Sequence, residues 1–122
     1  MCDVAPKARR TRLDYLEGLA DQTITAMTPS DLLFELDLLF DQVIDKYGKY
    51  REVVNELQAT ERLQRLAEKH EDLSLAHGLA DDAAYLRTVV PLYQGYWSRR
   101  VDQWYRLWRA LEAHIERRPH AR

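Results

Sequence analysis

The chain has little of what would make it a secreted, fibrous, metal-binding or nucleotide-binding protein. Its single cysteine, Cys2, cannot close an internal disulfide, which fits a reducing compartment. Four glycines and four prolines in 122 residues leave little punctuation and favour long regular elements. No glycine-rich phosphate loop and no Gly-x-Ser-x-Gly turn is present. No apolar run approaches the length of a membrane span. The basic start "MCDVAPKARRTR" is not followed by an apolar stretch, so no secretory signal is expected and a cytoplasmic location is. Strand alternation is also missing. The most strand-like run, "TVVPLY", carries Pro91, which argues against a central strand.

Apolar residues at helical spacing are abundant. The chain is 46% hydrophobic and 31% charged, the balance of a globular domain. The spacing predicts a first helix from about Thr11 to Met27, carried by Leu13, Leu16, Ala20, Ile24 and Met27. "TPSD" then reads as a helix start, with Thr28 or Ser30 as cap and Pro29 in the first turn. The second helix is expected to stop near Gly48, and a long third helix to begin near Lys49, broken or bent at Gly78. A helical stretch ending near Pro91 follows. The last helix carries Trp97, Val101, Trp104, Trp108, Leu111 and Ile115 in steps of three and four, which predicts that this stripe faces the core. The expected fold is all-α: an antiparallel bundle of four or five helices over residues 11–118. It has a long third helix and a long Trp/Arg-rich C-terminal helix, with a flexible basic arm at 1–10 and a disordered tail at 119–122.

Charge is segregated. Residues 13–45 hold eight acids and no base, whereas residues 83–122 hold eight arginines and three acids. Within the acidic segment, "LLFELDLLF" (Leu32 to Phe40) has seven apolar residues in nine, more than one stripe can hold. At about 100° per residue, Leu32, Leu33, Leu36, Leu39, Phe40, Val43, Ile44 and Tyr47 share one arc, the expected core face. Phe34 and Leu38 fall opposite it, ringed by Asp37, Asp41 and Asp45. A helix with neighbours on two sides would bury them; an acid-ringed apolar patch would dock a partner. On the C-terminal helix, Tyr96 and Leu107 are the expected partner-facing residues, with a basic stripe of Arg99, Arg106 and Arg117, and Arg109 at its margin, as the charged part of the same partner surface.

Chemistry is harder to find. His70 and His77 are seven residues apart at positions otherwise held by leucine or alanine, which predicts histidines in or beside the core, or a ligand-facing or pH-sensing pair. No Glu-x-x-His pair is present, so no dinuclear carboxylate centre is expected, and no catalytic residue, metal or cofactor is assigned. The sequence therefore points to a small helical interaction protein (an accessory subunit, adaptor or assembly factor) whose partner is another protein or a second copy of itself, as in a homodimer. The alternative is a nucleic-acid-binding module using Lys7, Arg9, Arg10 and Arg12 with the C-terminal arginines. A ligand-binding or catalytic bundle around His70 and His77 is the remote third reading.

Overall fold

A computed structural model describes residues 11–118. The expected arm at 1–10 and tail at 119–122 lie outside these residues. The described chain is 91% helical, with no strand among the described residues. It forms four helices: α1 (Arg12–Gly18), α2 (Asp21–Ala26), α3 (Pro29–Lys69) and α4 (Leu73–Glu116).

The boundaries differ from the spacing-based expectation at three places. The first predicted helix is two short ones, α1 and α2, separated at Leu19 and Ala20, which are both extended. Gly48 does not end a helix, and α3 runs through it for 41 residues. Gly78 and Pro91 both lie inside α4. Glycine inside a helix is disfavoured by about 1 kcal/mol, which a long packed helix absorbs. Pro91 removes one N–H from α4, so the Arg87 carbonyl loses its usual partner four residues on.

The single break in the long helical run comes where no glycine marks it. Glu71 adopts a left-handed conformation (φ 58°). The N–H of Glu71 donates to the Glu68 carbonyl at 3.1 Å, and that of Asp72 to the Ala67 carbonyl at 2.9 Å. These are the two bonds of a Schellman stop, with glutamate where glycine is usual. Asp72 then caps α4 by accepting the N–H of Leu75 at 3.2 Å. At the start of α3, Thr28 accepts the N–H of Asp31 at 3.1 Å with Pro29 in the first turn. Thr11 and Asp14 form a reciprocal capping box on α1.

Two units make up the fold. Among the described residues the first holds 11–41 and 99–118: α1, α2, the start of α3 and the end of α4. Its core is Leu16, Ile24, Leu32, Leu36, Leu39 and Leu107, closed by Ala110, with Trp104 and Leu111 partly packed against it. The second, Gln42–Ser98, holds the rest of α3 and α4 as an antiparallel helical hairpin. Its buried residues are Ala67, Ala76, Ala83 and Leu86. Small residues on both helices permit close approach of the two axes. At its far end Trp97 meets Tyr47 edge-on at 5.2 Å.

Candidate functional site

In the first unit, α1 and α2 lie across one side of the α3–α4 pair, and polar contacts hold them there. Arg106 of α4 donates to the Leu16 carbonyl at 2.9 Å and to the Leu19 carbonyl, and pairs with Asp21. It thus adds a donor to the Leu16 carbonyl, which also accepts the Leu19 N–H at 3.2 Å, and supplies one to the Leu19 carbonyl just past the end of α1. His114 Nε2 lies 2.9 Å from the Thr25 carbonyl, so that nitrogen carries the hydrogen. Arg99 bonds Glu17 at 2.9 Å and Asp14 at 3.1 Å. That guanidinium, with desolvation opposing it, holds the Glu17 carboxyl below its usual range; Asp14 is lowered chiefly by its bonds to Thr11 and then by Arg99. Arg12 pairs with buried Glu35 of α3, Nε to carboxylate 3.0 Å, and stacks over Tyr15 at 4.7 Å.

Arg99 and Arg106 both bond within the chain, to α1, α2 and the link between them. Arg12, counted with the basic arm, is likewise engaged with Glu35. Arg109 is exposed and makes no ion pair among the described residues.

The same bonds fix the rotation of α4. Leu107, expected to face a partner, is fully buried at 0% exposure. The tryptophan stripe, expected to be core, is turned outward at its end: Trp108 is 41% and Ile115 57% exposed. With Trp108 at zero on a wheel of about 100° per residue, Leu107, His114, Ala110 and Arg106 occupy the arc from about −100° to about 160°, against α1, α2 and the core. Leu111 and Trp104 turn toward α3, and Trp108 and Ile115 are left open. A helix wheel weighted by side-chain size centres the core on the tryptophans; the hydrogen bonds of Arg106 and His114 shift it round to Leu107 and Ala110.

Helix α3 shows the matching pattern. Leu32, Leu36 and Leu39 are buried, but Leu33 and Phe40, expected in the same core stripe, are each 53% exposed. Ile44 and Tyr47, in the second unit, are exposed too. Phe34 is 62% and Leu38 37% exposed on the outer edge of α3. Phe34 also borders a groove of about 430 Å³ with Tyr15, Leu19 and Met27. Asp37 and Asp41 are exposed beside them, while Asp45 pairs with Lys49 four residues on at 3.6 Å.

In the second unit, Tyr96 is exposed on α4 and has interactions within the chain. A separate apolar groove of about 290 Å³ at the hairpin turn is lined by Leu63, Leu66, Leu75 and Leu79 with His70. The histidine pair does not form: His70 lies in the turn and His77 on α4, both exposed rather than in the core. Their shared face depended on one continuous helix, which the stop at Glu71 interrupts. Among the described residues no group of three or more His, Cys, Asp or Glu side chains is placed to hold a metal ion, and no helix is long and apolar enough to cross a membrane.

No family model, no curated protein and no solved structure matches the chain.

Proposed function

We propose that this protein is a small helical interaction module, an accessory subunit, adaptor or assembly factor of the cytoplasm with no catalytic step of its own. One observation carries the reading. In the first unit, α1 and α2 cover one side of the α3–α4 pair, and the opposite side presents Leu33 and Phe40 from α3 and Trp108 and Ile115 from α4 to solvent. A helix pair with apolar residues on both sides is built to be covered on both sides. Apolar side chains grouped this way lose favourable burial in water, and aromatic residues are the usual anchors of protein contacts. Partner helices laid on this face would complete an antiparallel bundle of the kind the sequence pattern predicts. Phe34 and Leu38, away from this face, form a second exposed apolar pair on α3 with Asp37 and Asp41 nearby, and the acids set orientation and encounter rate.

The test is affinity purification of the tagged chain from its native host, comparing the wild type with Phe40→Asp/Ile115→Asp. Both positions are more than half exposed, so circular dichroism should show an unchanged helical fold. The expected result is that the variant loses the proteins captured by the wild type, untagged copies of itself included. Identical capture by both would remove this face from the account.

A further inference from the structure

We propose that the occupant of the open face in the first unit is a second copy of this chain, placed so that α3 of one copy lies against α4 of the other. The inference rests on the interaction reading and adds the identity of the partner. Four sides can be assigned to each helix from its contacts. On α3, Glu35 marks the side toward α1, and the buried leucines mark the core and α4. Leu33 and Phe40 mark the open side, and Asp37, Asp41 and Phe34 follow on the outer edge. On α4, Arg106 and Ala110 mark the side toward α1 and α2, Leu107 and Leu111 the side toward core and α3, Trp108 and Ile115 the open side, and Arg109 the outer edge.

The levels along the two helices also match. Leu36 and Leu39 share a core with Leu107 and Ala110, so Asp37 and Arg109 stand at one height on opposite outer rims of the same face. Neither makes an ion pair among the described residues. A twofold axis running parallel to the helices within the interface keeps heights unchanged and exchanges α3 for α4. It lays Leu33 and Phe40 on Trp108 and Ile115 of the second copy and brings Asp37 beside Arg109 of that copy, twice over. The face is therefore self-complementary in charge as well as apolar, the requirement for a closed dimer with identical patches. Each α3 would have antiparallel α4 neighbours from both chains, completing a four-helix layer over the core.

Light scattering on the purified full-length chain, at roughly 10 to 100 µM where a modest interface is populated, gives the direct test. The expected mass is twice the 14.4 kDa of one chain. Asp37→Arg and Arg109→Asp should each weaken dimerisation by about tenfold or more by opposing like charges, and the combined D37R/R109D exchange should restore it. Circular dichroism of each variant should match the wild type, since both residues are exposed. A monomer across the whole range overturns the proposal, and so does a dimer indifferent to either reversal or not rescued by the exchange. A monomer that still captures a different protein through Phe40 and Ile115 refutes self-association alone. A monomer with no face-dependent capture refutes the interaction reading as well.

Discussion

The two units solve the same problem, two long helices side by side, in different ways. The first fills its interior with leucines and adds a third element, α1 and α2, fastened by Arg99, Arg106 and His114. The second has alanines at its seam and one ion pair between its helices, Arg87 with Glu61 at 2.8 Å. Leucines need a volume enclosed on several sides, and short helices provide it. Alanines need only that two helix axes come close. The difference assigns rigidity of sequence to different positions: bulk matters in the first unit and smallness in the second.

Reversing those demands gives the largest expected effects. Ala83 is fully buried at the hairpin seam, so Ala83→Leu should force the helices apart and lower stability by about 2 to 3 kcal/mol in urea unfolding. Arg106→Ala should destabilise by about 2 kcal/mol, because the Leu16 and Leu19 carbonyls each lose a donor. Arg87→Ala, in the second unit, breaks an exposed pair and should change stability by less than about 1 kcal/mol. Equal losses for the two arginines would erase the contrast between the units. Glu71→Gly should raise the melting temperature by relieving the left-handed glutamate, a gain of about 1 kcal/mol, with α3 and α4 unchanged.

The smallest effect is electrostatic and belongs to the first unit. Asp14 and Glu17 have folded-state pKa values below their ordinary range, so they release protons more readily when folded than unfolded. Their contribution to stability is therefore present above about pH 4 and lost as pH falls through the folded values. Arg99→Met removes the main cause for Glu17 and a lesser one for Asp14. Melting curves from pH 6 down to pH 2 should show the variant less stable at the upper end and converging with the wild type at the acid end. Parallel curves would mean that Arg99 is not what lowers Glu17.

Helix content, the Thr28–Pro29 start of α3 and the apolar excess on that helix could all be read from spacing, because they are local. Turns and rotations could not. Gly48 and Gly78 drew the breaks toward themselves, yet the chain turns at Glu71, where a Schellman stop and the Asp72 cap together outweigh an unfavourable φ. The one available signal was the aspartate itself, standing at the head of "DLSLAHGLA". On α4 the wheel separated the faces, and Trp104 and Leu111 of the expected stripe do pack against the core, but Trp108 and Ile115 are exposed and Leu107, expected outside, is fully buried. Three tryptophans and three aliphatics outweigh Leu107, Ala110, Arg106 and His114 on any hydrophobicity scale. The second set wins because its polar members satisfy backbone carbonyls of α1 and α2, a long-range demand that no local pattern encodes.

The rotation of α4 in the first unit is the claim on which the core, the open face and its occupant all depend. Comparing Leu107→Ala with Trp108→Ala by urea unfolding, at low micromolar concentration where association is minimal, tests it most directly. Leu107 is fully buried and Trp108 is 41% exposed. The smaller truncation should therefore destabilise more, by about 3 kcal/mol against about 1 kcal/mol. If removing the indole proves the more damaging of the two, the tryptophan stripe faces inward and the open face does not exist.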